Sequence, residues 1–210
     1  MALSSEALWL YLVTDADLCA ELGVVETVER ATRGGVTCIQ LRDKTTDHGD
    51  LIELGRRLKE ALSGTGVPLI INDHLEVAIA CDANGVHVGQ GDTDVRTARE
   101  ALGPHRIVGL SCETAAHVEA IDPTITDYAG IGPVFGTPTK SDHSEPIGLD
   151  GLAHLCSLSP IPTVAIGGLK ADHQHAVLDA GANGLAVVSA ICGQPDPEAA
   201  ARQFSFPSAR

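Results

Sequence analysis

Apolar residues gather in eight short runs along the chain: WLYLVT (9–14), VTCIQL (36–41), VPLIIN (67–72), GVHVGQ (85–90), RIVGLS (106–111), YAGIGP (128–133), PTVAIG (162–167) and GLAVVS (184–189). Within each run hydrophobicity is nearly continuous rather than alternating, the pattern of a strand covered on both faces. The segments between them have helical character. In DLIELGRRLKEAL, Leu51, Leu54, Leu58 and Leu62 recur at three- and four-residue steps and make one apolar stripe. DTDVRTAREALG offers Asp and Thr as caps at its start and Gly103 as a stop, while DPEAAARQF begins with Asp196 and places Pro197 in the first turn. Strand then helix, repeated eight times with no Pro/Ser-rich linker or charge block, predicts an α/β chain folded as one (β/α)8 TIM barrel domain over residues 1–210. The competing layout is an open doubly wound sheet, which usually has fewer strands and a Gly-rich turn after its first strand; here that strand runs into TDADL.

Composition sharpens this reading. Aromatics make up 3% of the chain, whereas Ala, Val, Ile, Leu and 22 glycines dominate, which suits helices packed closely on a buried parallel sheet. A formal charge of -14 argues against nucleic acid or an anionic membrane surface as partner, since both would be repelled. Any anionic ligand then needs a locally basic pocket. The six cysteines show no CxxC or Cys/His spacing, so reduced thiols in a cytoplasmic protein are expected rather than disulfides or zinc. The N-terminal apolar run lacks a basic flank, and no stretch reaches the ~18 to 20 apolar residues of a membrane span.

In a barrel of this kind the active site lies at the carboxyl ends of the strands, so the polar residues closing each run belong together. They are Gln40, Arg42 and Lys44 after the second run, Asn72 and Asp73 after the third, Gln90 and Asp92 after the fourth, and Ser111 after the fifth. GPVFGTPTK follows the sixth, Gly167 and Gly168 the seventh, and Ser189 the eighth. Asp73 and Asp92 end strands expected to lie ~4.8 Å apart, so both carboxylates can face one cation. Two carboxylates with room for water and phosphate oxygens suit Mg²⁺. Each could equally be a helix N-cap. Arg42, Lys44 and Lys140 bring cations to the same rim in a chain with four lysines, and together they can grip a diphosphate, although any one alone reads as a solvated loop cation. Gly167 and Gly168 fit either a backbone phosphate cradle or a tight strand-to-helix turn. The histidines suggest less: His173 and His175 are expected in a solvent-facing helical segment, and His87 as an internally bonded barrel residue.

Taken in order, LYLVTD, QLRDK, IINDH, GVHVGQ.D, YAGIGPVFGTPTK, AIGGL and AVVSAI resemble the thiamine phosphate synthase family over roughly residues 9 to 191. The resemblance implies a transferase that joins 4-amino-2-methyl-5-(diphosphooxymethyl)pyrimidine to a thiazole phosphate, yielding thiamine phosphate and pyrophosphate. By that likeness Gln40, Arg42, Lys44, Asn72, Ser111 and Lys140 contact the pyrimidine diphosphate, with Arg42, Lys44, Ser111 and Lys140 taking part in catalysis. Asp73 and Asp92 hold Mg²⁺. Thr137, Pro138, Thr139, Gly168, Val188 and Ser189 bind the thiazole phosphate. The family reaction is a dissociative substitution that needs no protein nucleophile, in keeping with the lack of a recognisable nucleophile-base-acid set. Two departures stand out: Cys112 and Glu113 after Ser111, and Gly91 where an acidic residue is common, which removes one negative charge beside Asp92.

Two rivals remain at this level. A thiazole tautomerase of similar sequence would need neither the TPTK loop nor the basic cluster. A non-catalytic phosphometabolite-binding barrel would be expected to have lost one of Asp73 and Asp92. Segment 136 to 146, with two prolines, Ser and Asp, is expected to order over substrate as a lid. A homo-oligomer is compatible with the sequence, as is a thiazole partner with or without a carboxylate.

Overall fold

The computed structural model describes residues 4–136 and 145–204. Among the described residues eight parallel strands alternate with eight α-helices: β1 Leu10–Val13, α1 Val24–Arg33, β2 Cys38–Leu41, α2 His48–Ala61, β3 Leu69–Asn72, α3 Leu75–Ala80, β4 Gly85–Val88 and α4 Val95–Leu102 make the first half. β5 Ile107–Cys112, α5 Ala115–Glu119, β6 Tyr128–Ile131, α6 Gly148–Leu158, β7 Thr163–Ile166, α7 Gln174–Asp179, β8 Gly184–Val187 and α8 Pro197–Ala201 make the second. Strand order follows chain order, and β8 pairs with β1 through Tyr11 and Ala186 to close the barrel. All eight apolar runs are strands, and most strands stop one or two residues short of the run.

The continuous hydrophobicity has a simple cause. In β1, Leu10 and Leu12 point to the layer between sheet and helices, while Tyr11 and Val13 point into the barrel, and all four are buried. The outer layer is aliphatic and takes in Val28, Ile39, Leu51, Leu58, Val86, Val108, Leu152 and Val177. The interior holds Leu8, Tyr11, Val13, Cys38, Ile70, Ile107, Tyr128, Val164 and Ala186.

Helix starts follow local chemistry. Asp47 caps α2 by accepting from the Gly49 and Asp50 N–H groups, and Asp94 caps α4 through Arg96 and Thr97. Asp196 caps α8 through Glu198 and Ala199, with Pro197 in the first turn. Leu51 and Leu58 of the predicted α2 stripe are fully buried, and Leu62 nearly so. All six cysteines are free thiols. No described helix is long and apolar enough to cross a membrane.

At the end opposite the strand carboxyl termini, Arg99 ties three segments together. It pairs with Asp127 at 2.6 Å and donates to the carbonyls of Gly103 at 2.9 Å and Ile125 at 3.1 Å, while Asp127 also accepts from the Val108 N–H at 2.7 Å.

Barrel closure depends on close backbone approach at Gly184. A Cβ there would lie 1.9 Å from the Leu8 carbonyl oxygen and 2.6 Å from that of Trp9, both of them backbone atoms that cannot swing aside. Gly184→Ala is therefore expected to destabilise the protein by about 3 kcal/mol or more, the upper end for overpacking. Urea unfolding checks this, and a change within measurement error would show that β1 and β8 are not packed this tightly.

Candidate active site

The carboxyl ends of the strands surround a cavity of about 430 Å³, within the range of small-molecule sites. Gln40, Arg42, Lys44, Asn72, Asp73, Asp92, Ser111, Gly168, Val188 and Ser189 all line it. Residues separated by up to three quarters of the chain thus meet at one mouth. Thr137, Pro138, Thr139 and Lys140 lie outside the described residues, as does most of the segment expected to act as a lid.

Asp73 is placed by an unusual turn. β3 ends at Asn72, and the next residue adopts φ 61°, with the His74 N–H donating back to the Asn72 carbonyl at 2.7 Å. A three-residue turn of this sign is rare and strained, and Asp tolerates it better than most residues. The Asp73 N–H keeps its bond to the His87 carbonyl at 2.8 Å, so the chain stays attached to β4 while it leaves the sheet. Neither candidate carboxylate is a helix cap: His74 precedes α3 without a side-chain cap bond, and α4 is capped by Asp94. Asp92 instead accepts from the Gly89 N–H at 2.8 Å, which folds the β4 loop back on itself.

The two carboxylates lie against one another. Burial and the neighbouring Asp92 push the Asp73 carboxyl up to about 6, with a smaller opposing pull from Asn72 and Lys44. Like charges held this close resist ionising together, and a cation between them removes the conflict. The donor set and its charge therefore fit a hard divalent ion such as Mg²⁺.

The cationic side of the mouth is also built locally. The Arg42 N–H donates to Thr14 Oγ at 3.0 Å, and the Thr14 hydroxyl donates to the Arg42 carbonyl at 3.3 Å, fixing the start of the β2–α2 loop. Asp43 then accepts from the backbone and hydroxyl groups of both Thr45 and Thr46. Partial burial pushes the Asp43 carboxyl up, but these hydrogen bonds prevail and hold it at about 2. Asp43 thereby sets the backbone between Arg42 and Lys44.

A polar chain crosses the barrel beneath the mouth. The Gln40 amide donates to the Tyr11 hydroxyl at 2.9 Å, Tyr11 bonds Tyr128 at 2.7 Å, Tyr128 meets His87 Nδ1 at 2.9 Å, and His87 Nε2 meets Ser111 at 2.9 Å. Space for the rings exists because a Cβ at Gly109 would sit 2.2 Å from Tyr128. Burial is the main reason both tyrosine hydroxyls stay protonated well above their ordinary range. Gln40 and Ser111, on opposite walls, are thus held by one relay. His87 is the internally bonded residue expected from the sequence, but Tyr11 and Tyr128 were not singled out, since an aromatic within an apolar run reads as plain core. Glu113 and His117 also line the cavity unanticipated, with His117 Nδ1 accepting from the Glu113 N–H at 3.3 Å. The expectation for His173 needs correcting: it is half-buried against Phe135, ring centroids 4.7 Å apart, and accepts from the Lys170 N–H.

On the far wall, Gly167 has φ 106° and Gly168 φ 64°. A Cβ on Gly167 would meet Pro133 at 2.7 Å, and one on Gly168 the Gly136 carbonyl at 2.7 Å. These glycines serve close packing of the β6 and β7 loops, which are also joined by Phe135 N–H to Gly167 O at 3.0 Å. Beside them a turn opens at Val188, whose carbonyl accepts from Ile191 and Cys192. The N–H groups of Ser189 and Ala190 precede the first acceptor-donor pair of that turn, as at a helix start.

The sequence pattern of the family described as "Thiamine monophosphate synthase" matches residues 10–191. The chain belongs to this family. Two similar relatives are thiamine-phosphate synthases: one from Psychrobacter sp. (strain PRwf-1) is 48% identical over 94% of each chain, and one from Azorhizobium caulinodans is 50% identical over 92% of this chain and 91% of its own. A solved thiamine phosphate pyrophosphorylase from Pyrococcus furiosus superposes with a TM-score of 0.86 at 34% identity, covering 95% of both chains. A 3-hexulose-6-phosphate synthase, 19% identical with a TM-score of 0.71 over 93% of this chain and 97% of its own, shares the fold. The chain is accordingly a transferase of thiamine biosynthesis.

Two expectations follow from this geometry. An ordinary Asp releases its proton near 3.8, whereas folded Asp73 holds it up to about 6. This group therefore favours the folded state fully below the ordinary value, and that support is lost as pH rises through about 6. In metal-free buffer Asp92→Asn should remove the repulsion yet keep an acceptor for Gly89. Allowing for solvent screening at this part-exposed site, Tm at pH 7 is expected to rise by about 2 to 4 °C, the value of about 1 kcal/mol in a domain of this size. An unchanged pH profile would place the carboxylates apart. Tyr128→Phe removes the hydroxyl that joins Tyr11 to His87, two hydrogen bonds in all, while Tyr11 keeps Gln40 and His87 keeps Ser111; it is expected to cost about 1 to 3 kcal/mol by chemical denaturation. A neutral result would mean the relay is not formed.

Proposed function

We propose that the cavity joins 4-amino-2-methyl-5-(diphosphooxymethyl)pyrimidine to a thiazole phosphate, giving thiamine phosphate and pyrophosphate. The pairing of Asp73 and Asp92 beside Lys44 and Arg42 in the same cavity carries this reading. The carbon–oxygen bond to the diphosphate breaks first, its electrons leaving with pyrophosphate, and the thiazole nitrogen lone pair then forms the new carbon–nitrogen bond. Such a reaction needs charge neutralisation and alignment rather than a protein nucleophile.

Arg42 grips the diphosphate oxygens in a bidentate manner, while Lys44 and Lys140 act as point charges that follow the leaving group. Gln40, Asn72 and Ser111 orient the pyrimidine, two of them held by the Tyr11–Tyr128–His87 relay. Gly168, Val188 and Ser189, with Thr137, Pro138 and Thr139, bind the thiazole phosphate. Asp73 and Asp92 would hold Mg²⁺, which when bound supplies further neutralisation of the diphosphate. A tautomerase-like role would leave both the acidic pair and the neighbouring cations without a task.

The test is purified protein with Mg²⁺ and both heterocyclic phosphates, each omitted in turn, with pyrophosphate and thiamine phosphate as readouts. Product only in the complete mixture is expected. Asp73→Asn, which keeps a residue that tolerates φ 61°, should abolish Mg²⁺-dependent turnover with a modest change in Tm. Lys140→Ala should lower kcat on the order of 10²-fold, as lost transition-state donors do. Turnover intact in Asp73→Asn, or unchanged kinetics in Lys140→Ala, would overturn the respective role.

A further inference from the structure

Outside the cavity, where the β2–α2 and β3–α3 loops meet, three ligand-type side chains converge. His48 is the first residue of α2, His74 the residue before α3, and Glu76 lies in the first turn of α3. The His48 and Glu76 ligand atoms are 3.0 Å apart, those of His74 and Glu76 3.8 Å, and the two imidazole centroids 4.6 Å. One ligand atom from each of the three lies within 4.8 Å of the others. We propose that His48, His74 and Glu76 form a surface site for Zn²⁺, separate from the carboxylate pair in the cavity.

Tetrahedral zinc with bonds of about 2.0 to 2.2 Å spaces its ligand atoms roughly 3.3 Å apart, so the observed separations bracket the requirement. Two imidazoles and one carboxylate leave a fourth position for water. Imidazole suits zinc and disfavours magnesium, which separates this site chemically from Asp73 and Asp92. The cost of placing a cation near the starts of α2 and α3 is offset by Asp47, Asp50 and Glu76 at those same ends. His48 Nδ1 and Glu76 Oε1 already lie 3.0 Å apart, so zinc would enter between atoms that are in place.

The position has a consequence for the mouth. His74 directly follows Asp73, and the loop that ends at His48 carries Arg42 and Lys44. Zinc would fasten these two loops together from the outside.

The experiment is calorimetric titration of tag-free, full-length protein with Zn²⁺ in excess Mg²⁺, alongside His48→Gln, Glu76→Gln and Asp73→Asn. Wild type and Asp73→Asn are expected to bind one zinc per chain. His48→Gln and Glu76→Gln, both at exposed positions, should weaken binding by at least about tenfold while leaving the metal-free Tm unchanged. Equal zinc affinity in wild type and His48→Gln would overturn the proposal, as would loss of zinc binding in Asp73→Asn, which would assign the ion to the carboxylate pair instead.

Discussion

Two carboxylates held against each other at the open end of a barrel are the constraint around which this molecule is arranged. Asp73 sits on a strained turn and Asp92 on a loop folded back to Gly89. The pairing is unfavourable by itself, since burial and its neighbour keep Asp73 protonated up to about 6. A fold pays such a cost where charge is to be used, because strain and perturbed titration concentrate at functional sites. Arg42 and Lys44 line the same cavity, on a loop whose backbone is fixed by Thr14 and Asp43. Opposite charges are thus preorganised around one cavity before any anion arrives.

Rigidity beneath the mouth has a different origin. The barrel interior is filled by a polar relay rather than by aliphatic layers alone, and every member of it has a partner. A fully satisfied buried network specifies one geometry, whereas a half-satisfied one would be worse than an apolar core. It links Gln40 of β2 with Ser111 of β5 across the barrel, so two walls of the cavity are tied together by one chain of hydrogen bonds. The opposite wall relies on backbone contact instead, with Gly167 and Gly168 pressed against the β6 loop.

The fold was largely legible in the sequence because both faces of every strand are buried, which leaves an unbroken apolar run at each strand. The strand ends were legible too, since a polar residue closing such a run has no packing reason to be there. Limits arose where the signal is not local. Tyr11 and Tyr128 look like core aromatics, and only their meeting across 117 residues gives the hydroxyls a role. Glu113 and His117 enter the cavity because β5 runs on to Cys112, a register detail the apolar pattern does not carry. Whether Asp73 caps α3 or lines the cavity depends on one positive φ, which the letters IINDH do not disclose. His173 resembles a surface histidine until Phe135 is folded over it.

The most direct measurement follows the Asp73 side-chain carboxyl carbon by NMR as pH is varied, without and with saturating Mg²⁺. The account predicts titration near 6 in metal-free protein and a shift well below the ordinary carboxylate value once the ion is shared with Asp92. A midpoint near 3.8 in metal-free protein, or one that Mg²⁺ does not move, would contradict it.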